Sequence, residues 1–302
     1  MIAENLLEEA GDYQGTRVEV DDLDADDKKE ILIKTPDFNI YLKPHNGGVV
    51  QELDFKPVPY NLTNVLTRRY EGYHNKIRPL ETKTGQGVAK SIHGPFASKE
   101  TGLEKALIYD TYERRSLVDH FAAPDTPIDA FLSGNYMDCG SFVDADYTYK
   151  INRDNSDVLL YYNGMVSSKH VGLQKKICPA QKSSIKIVYQ ITNLDTLPLH
   201  TVFLSEWNIL IGFGMKQQNL GMMEEFELQE DWLGLKFKMQ FKPTANLYIY
   251  PVETVSLSEA GFEKNFQGLC WLPSWELKLA PRETCKIELL IDVSSLAMQP
   301  HS

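Results

Sequence analysis

Carboxylate side chains offer the first route to chemistry in this sequence, which holds 42 Asp and Glu residues among 302. Acid–base cleavage of a glycosidic bond needs two carboxylates that face each other, and the sequence alone does not show which two would meet. The better candidates lie beside aromatic residues or in irregular segments: Asp110, Asp119, Glu206, Glu253, Glu259 and Glu263. The alternative for each is a turn cap or an ion pair. We therefore predict no catalytic residue from the carboxylates.

Histidine spacing gives no support for a metal site or a cofactor. The seven histidines include no His-x-x-x-His and no His-Glu-x-x-His pattern, and the chain has no phosphate-binding glycine motif. The acidic run at residues 21–27 fails as an EF-hand, because its sixth and twelfth positions hold Asp26 and Leu32. We interpret this run as a solvated acidic linker. His74 and His120 follow arginine-containing segments and suit polar recognition, or they are simply hydrogen-bonded within the fold.

Tryptophan rings could stack on the apolar faces of sugars. Trp271 and Trp275 flank Pro273, so a bend is expected there, and we predict that these two rings are available for binding. Trp232 starts an amphipathic stretch and is predicted to be structural. For all four tryptophans, Trp207 included, the alternative is a place in the core.

Composition excludes several classes of partner. The formal charge of −11 argues against nucleic acid and against an anionic membrane surface. The four cysteines lie far apart in sequence, with no Cys-x-x-Cys pair, which favours free thiols in a reducing compartment. No signal peptide and no run of about eighteen apolar residues is seen. We expect a cytoplasmic protein.

The elements that must position these residues are mostly strands. Residues 47–55 follow a glycine pair and alternate with a period of two, which predicts a strand. Residues 2–10 are rich in Ala, Leu and Glu and predict a short helix. Further strands are predicted at residues 16–20, 30–34, 38–43, 142–151, 158–166, 171–177, 185–192, 199–204, 233–241, 247–250 and 285–293. We therefore predict an all-β protein, a large antiparallel β-sandwich over residues 13–302, after a helical remnant or linker at residues 1–12.

Several segments, in order, resemble the C-terminal β-sandwich domain of glycoside hydrolase family 57, which contains 4-α-glucanotransferases and α-amylases. They span nearly the whole chain. In the segment at residues 251–263, Leu257 and Ala260 depart from the family pattern, which has a polar residue and a glycine there. The matching segments are residues 47–57 (GGVVQELDFKP), 61–69, 73–74, 114–121 (RRSLVDHF), 206–208 (EWN), 251–263 (PVETVSLSEAGFE) and 267–268.

This resemblance implies a galactose-mutarotase-like supersandwich that packs, in such enzymes, against an N-terminal catalytic barrel. The barrel carries the catalytic pair, so the resemblance implies a non-catalytic accessory domain that braces the barrel and lines an α-glucan cleft. Its partners would be the barrel and a maltooligosaccharide. The alternatives are a sugar epimerase or mutarotase acting by itself, or a purely structural domain. Candidate residues that face carbohydrate or the barrel are Arg68, Arg69, His74, Asp119, His120, Glu206, Trp207, Glu253, Trp271 and Trp275.

Overall fold

The computed structural model describes residues 6, 11, 15–77, 103–180, 183–258 and 261–296. The helix predicted at residues 2–10 lies outside these residues, apart from Leu6. The first five strands form one antiparallel sheet in sequence order. They are β1 (Arg17–Asp21), β2 (Glu30–Lys34), β3 (Phe38–Lys43), β4 (Val49–Phe55) and β5 (Tyr60–Asn61).

A second, larger antiparallel sheet contains the other described strands. Its order is β6-β11-β14-β13-β15-β10-β9-β8-β7, and β12 pairs with β13. These strands are β6 (Val118–Ala122), β7 (Thr148–Asn152), β8 (Asp157–Val166), β9 (Lys169–Pro179), β10 (Ser184–Asn193), β11 (Leu199–Ile209), β12 (Gln218–Glu230), β13 (Leu235–Ser258), β14 (Gly261–Leu279) and β15 (Thr284–Ser295). The helix α1 (Asp129–Ser133) and the 3₁₀ turns Gly72–Lys76 and Leu103–Ala106 lie in the connections.

One apolar core joins the two sheets. Side chains from β2, β3 and β4 of the small sheet share a cluster with side chains from β8 to β11 and β13 to β15. The start of β13 shows the predicted alternation: Leu235, Phe237 and Met239 are buried, whereas the lysines between them are partly exposed. Burial of one face of a strand drives this pattern. The predicted all-β fold is confirmed at this level.

The glycine pair before β4 brings two parts of the chain into close contact. Gly47 has a φ of 78°, and a Cβ placed there would lie 2.0 Å from the carbonyl oxygen of Val143. Only glycine avoids both the clash and the strained backbone. Downstream, Val50 forms a bridge with Ser116. The predicted strand at residues 47–55 therefore links the small sheet to the large one.

The structure corrects three details of the predicted strand series. Residues 142–147 precede β7 and turn against the β3–β4 connection, where Tyr147 donates its amide to the carbonyl of Pro44. Residues 247–250 belong to β13, and β14 runs unbroken through Pro273. The sequence analysis predicted no strand over β6, β12 or β14; the side chains of β12 are all exposed or half-buried. Among the described residues, α1 and the two 3₁₀ turns are each far too short to span a bilayer.

Candidate functional site

A groove of about 580 Å³ lies where distant parts of the chain meet. A small apolar cluster of Ile77, Leu103, Val255 and Phe262 packs beside it and holds the two 3₁₀ turns against β13 and β14. The groove is lined by residues from 64–74, from 106–115, and from the facing stretches of β13 and β14 at 254–256 and 265–267.

Side chains around the groove combine flat rings with charged and amide groups. Tyr73 and Tyr109 supply rings, while the polar groups belong to Arg69, Glu71, Glu113, Arg115, Asn265 and Gln267. The Arg69 side chain is 70% exposed and lies 3.5 Å from Glu113. The exposed ring of Tyr70 packs edge-on against the rings of His74 and Tyr109. This mixture can pack against an apolar ring face and hydrogen-bond to hydroxyl groups.

His74 fixes the groove wall. Its Nδ1 atom accepts a hydrogen bond from the Glu71 amide at 3.1 Å, and its Nε2 atom lies 3.0 Å from the Val255 carbonyl oxygen. These partners assign the proton to Nε2, which then donates to Val255. The hydroxyl of Tyr109 also lies 3.1 Å from Nδ1. His74 therefore ties three segments of the groove together, and its ring nitrogens are already engaged.

Beneath the groove lies a buried ionic layer in which positive and negative side chains alternate. Asp110 Oδ1 is 2.6 Å from both Arg68 and Arg114, and Arg114 reaches Glu206 at 3.0 Å. His120 continues the chain, with Nε2 at 3.3 Å from Glu206 and Nδ1 at 2.8 Å from Asp138. The layer comprises Arg68, Asp110, Arg114, Glu206, His120 and Asp138.

The ionic layer keeps its charges at neutral pH. Burial alone would lower the pKa of His120, but Asp138 and Glu206 raise it to about 9. Burial opposes ionisation of Glu206, yet Arg114 and His120 hold the pKa of this carboxyl well below its usual range. Burial likewise opposes ionisation of Asp110, and Arg114 and Arg68 lower its pKa. Three cationic and three carboxylate side chains therefore balance one another under the groove.

Asp119 belongs to a different buried cluster. Its carboxylate accepts hydrogen bonds from Lys175 at 2.7 Å and from the hydroxyls of Tyr147 and Tyr189, each at 2.9 Å. Lys175 also donates to the carbonyl of Gly47 at 2.8 Å. Neighbouring residues of a strand point to opposite faces, so Asp119 points to this core cluster and His120 to the ionic layer. Asp119 and His120, both predicted to face carbohydrate or the barrel, are buried and point to two different clusters.

The tryptophan prediction is also wrong. Trp271 is 0% exposed and Trp275 is 6% exposed, whereas Trp232, predicted to be structural, is 86% exposed. Trp275 donates its indole N–H to the carbonyl of Pro243, and Trp207 donates to Ser205. Because β14 continues straight past Pro273, its two tryptophans stay in the core. Neither Trp271 nor Trp275 can stack on a ligand in this arrangement.

The remaining predicted residues divide between the groove and its surroundings. Arg68, Arg69 and His74 line the groove. Glu253 lies beside it on β13, half-exposed and 3.5 Å from Lys264. The sequence analysis missed Tyr109 and Glu113, which have no motif of their own. The sequence carries no signal for them, because Asp110 and Arg114 pair in an irregular segment and their i,i+4 spacing does not form a helix.

This arrangement suits binding better than acid–base catalysis. Among the described residues that line the groove, the carboxylates are Glu71 and Glu113, and Glu113 already contacts Arg69 and Arg115. His120 and Glu206 meet, but both are fully buried and face each other. A general acid and base must reach the substrate with a pKa near the working pH, and this pair does neither.

Comparison with known proteins gives the site a family context. Residues 22–289 match the family described as "Alpha-amylase/4-alpha-glucanotransferase, C-terminal". The chain is 33% identical over 295 residues to Alpha-amylase 1 of Dictyoglomus thermophilum, covering 92% of this chain and 41% of that protein. It is 28% identical over 273 residues to the 4-alpha-glucanotransferase of Thermococcus litoralis, covering 89% of this chain and 40% of that protein. The chain thus spans about two-fifths of the curated relatives it matches.

Solved structures show the same fold. The crystal structure of the Thermococcus litoralis 4-alpha-glucanotransferase matches 95% of this chain and 41% of that chain, with a TM-score of 0.77 at 24% identity. A galactose mutarotase-like protein from Clostridium acetobutylicum matches 93% of this chain and 99% of that chain, with a TM-score of 0.55 at 10% identity. The predicted galactose-mutarotase-like sandwich is confirmed.

Proposed function

The chain belongs to the family of C-terminal domains of α-amylases and 4-α-glucanotransferases, and from that premise we propose that its groove forms one wall of an α-glucan cleft. The domain would act beside a catalytic region, without a catalytic pair of its own. The observation that carries this proposal is the groove itself, which is lined by tyrosines, arginines and amides and lies over the buried, charge-balanced ionic layer.

The ionic layer under the groove explains how the binding surface can be preorganised. Arg68 lines the groove, while its guanidinium group is held by Asp110 through two nitrogens. Fixed side chains lose little freedom when a ligand binds, which favours affinity. Arg69 and Arg115 lie above this layer and can donate to sugar hydroxyls. A volume of about 580 Å³ is within the range of about 300–1,000 Å³ that is usual for small-molecule sites.

Titration calorimetry with maltoheptaose tests the proposal. Binding in the micromolar to low millimolar range, roughly 4 to 8 kcal/mol, is expected for the unmodified chain. Arg69→Ala removes an exposed groove side chain and should weaken binding at least threefold. Arg153→Ala is the matched control, because Arg153 is exposed in the turn after β7 and does not line the groove. Equal affinities of the two variants would contradict the proposal.

A bracing contact with the catalytic region is the second candidate function. Two exposed side chains favour it: Leu66, which lines the groove, is 57% exposed, and Tyr70, which packs on the groove residues His74 and Tyr109, is 54% exposed. Contiguous exposed apolar surface marks protein contacts, and these two side chains would add to such a surface at the groove. Sedimentation of the chain with the N-terminal region of the Dictyoglomus relative would reveal such a contact. We expect a complex that Leu66→Ser weakens and Trp232→Ser does not.

The mutarotase alternative is disfavoured by the burial of His120 and Glu206. Polarimetry with α-glucose checks this directly, because an active mutarotase accelerates the approach to the equilibrium rotation. We expect the rate to equal that of buffer. Any acceleration that Glu206→Gln abolishes would overturn this interpretation of the ionic layer.

A further inference from the structure

A second polar cluster, away from the groove, has the composition of a metal site. It lies where the β1–β2 connection meets the β3–β4 turn. Side-chain ligand atoms of Asp26, Glu30 and His45 all lie within 4.8 Å of one another. His45 Nε2 is 3.5 Å from Asp26 Oδ2 and 3.6 Å from Glu30 Oε1. These separations exceed those of hydrogen bonds.

Two buried atoms in this cluster lack hydrogen-bond partners and point toward each other. Glu30 is 2% exposed, and its Oε1 atom has no hydrogen-bond partner. The His45 side chain is 10% exposed, and its Nε2 atom also has none. Leaving such groups unsatisfied in a buried place is costly. A bound cation would satisfy both atoms at once.

The surrounding contacts aim these ligand atoms into the cluster. The second oxygen of Glu30, Oε2, accepts a hydrogen bond from the amide of Leu23 at 2.8 Å. This bond leaves Oε1 directed at His45. Lys43 is held by Asp24 at 2.5 Å and stays 3.7 Å from Asp26. The lysine therefore pairs more closely with Asp24, and Asp26 Oδ2, at the outer limit of ion-pair distance from Lys43, keeps a lone pair for another ligand.

From these contacts we propose that Asp26, Glu30 and His45 bind a first-row transition-metal ion, with Zn²⁺ as the representative case. Zinc takes imidazole nitrogen and carboxylate oxygen at about 2.0–2.2 Å in a tetrahedral arrangement, which places neighbouring ligand atoms about 3.4 Å apart. The two distances from His45 lie close to this value. The imidazole ligand favours zinc and its neighbours over calcium, which prefers oxygen. Such an ion would pin the β1–β2 connection to the turn that leads into Gly47.

The EF-hand test applied to the sequence could not find this site. It counted carboxylates along one loop, whereas His45 comes from a separate hairpin connection. Asp22, Asp24 and Glu30 also approach one another, but both oxygens of Asp22 already accept backbone amides of Asp26 and Asp27. The site is therefore assigned to the three residues whose ligand atoms converge on the unpartnered pair.

Calorimetric titration of the chelator-treated chain with ZnCl₂ and, separately, with CaCl₂ tests the assignment. We expect one Zn²⁺ per chain to bind at micromolar concentration, and Ca²⁺ to bind at least tenfold more weakly. His45→Ala and Asp26→Asn should each weaken zinc binding at least tenfold. His200→Ala is the matched control, because His200 is an exposed histidine paired with Glu276, and it should leave that affinity unchanged.

Thermal melting of the same proteins provides a second readout. Zinc should raise the melting temperature of the unmodified chain and of His200→Ala, but not of His45→Ala, because an ion that binds only the folded state stabilises it. The proposal is overturned by the absence of zinc binding, by equal zinc affinities of the His45 and His200 variants, or by calcium binding as tight as zinc. A His45 side chain that merely bridges the two carboxylates, without a metal ion, would give the first of these results.

Discussion

Replacing Glu206 with glutamine tests the ionic layer most sharply, because the side chain keeps its shape and loses its charge. The carboxylate is fully buried. Oε1 accepts hydrogen bonds from Arg114 at 3.0 Å and Asn208 at 2.7 Å. Oε2 accepts one from Tyr112 at 2.6 Å and lies 3.3 Å from His120. A glutamine can keep the Oε1 contacts, with its amide nitrogen facing Tyr112 and His120.

The expected cost follows from the charge that is left behind. Breaking a buried ion pair by removing one partner costs about 3–5 kcal/mol, because the other partner stays buried without compensation. Arg114 keeps Asp110 at 2.6 Å, so the lower end applies. We expect Glu206→Gln to lower the free energy of unfolding by about 3 kcal/mol at pH 7.

His120 gives this prediction a pH dependence. Its pKa is about 9 in the folded protein, against an ordinary value of 6.5. A raised folded pKa stabilises the protein fully below pH 6.5, and this stabilisation is lost as the pH rises through about 9. Glu206 is one of the two acids that raise this pKa, so the variant loses part of the effect. The stability difference between the two proteins should therefore be larger at pH 6 than at pH 9.5.

Urea denaturation at pH 6, 7.5 and 9.5 measures both effects. Glu276→Gln is the matched control, since Glu276 pairs with His200 at 2.7 Å but both side chains are about half exposed. Exposed pairs contribute about 0–1 kcal/mol. Similar losses of stability in Glu206→Gln and Glu276→Gln would refute the account of the ionic layer. A difference from wild type that stays constant with pH would refute the role given to His120.

Three further predictions use four substitutions, three at buried residues and one at the exposed Trp232. Asp119→Asn should lower the free energy of unfolding by about 3 kcal/mol, because Lys175 stays buried without its carboxylate; a loss below about 1 kcal/mol in urea would contradict this. Trp271→Ala should lower the free energy of unfolding by about 3–5 kcal/mol, because Trp271 is buried. Trp232→Ala should lower it by less than about 0.5 kcal/mol, because Trp232 is exposed. Equal melting temperatures of the two variants would contradict this difference. Burial raises the pKa of Asp54 from 3.8 to about 7, which destabilises the fold as the pH rises from 4 to 7. This rise corresponds to about 4 kcal/mol, which solvent screening reduces to about 2 kcal/mol. Asp54→Asn should remove this loss, and an unchanged pH profile of urea stability would refute the prediction.

The strand content could be predicted from the sequence because side-chain alternation is a local property. Leu235, Phe237 and Met239 show the same pattern in the sequence and in the burial of β13. Gly47 could be predicted as a tight entry, although its close contact with Val143 could not. A strand with both faces exposed to solvent need not alternate between apolar and polar side chains, and β12 was missed for that reason.

The position of the site depends on contacts between segments that are far apart in the sequence. Arg114 and Glu206 meet only because β11 pairs with β6, and no local pattern predicts that pairing. The four tryptophans look alike in the sequence, and only the register of β11 against β14 shows that Trp207 faces Trp271 in the core. The resemblance to family members supplied the fold, but burial decided which of its polar residues reach the groove.

Nuclear magnetic resonance of the ¹⁵N-labelled chain during addition of maltoheptaose tests the central claim most directly. The claim is that the groove contacts an α-glucan, so the amide signals of Thr67, Tyr109, Thr254 and Gln267 should shift together as the sugar is added. The amide of Trp232, an exposed aromatic residue that does not line the groove, should not move. Shifts confined to Trp232 and its neighbours, or no shifts at millimolar sugar, would contradict the claim.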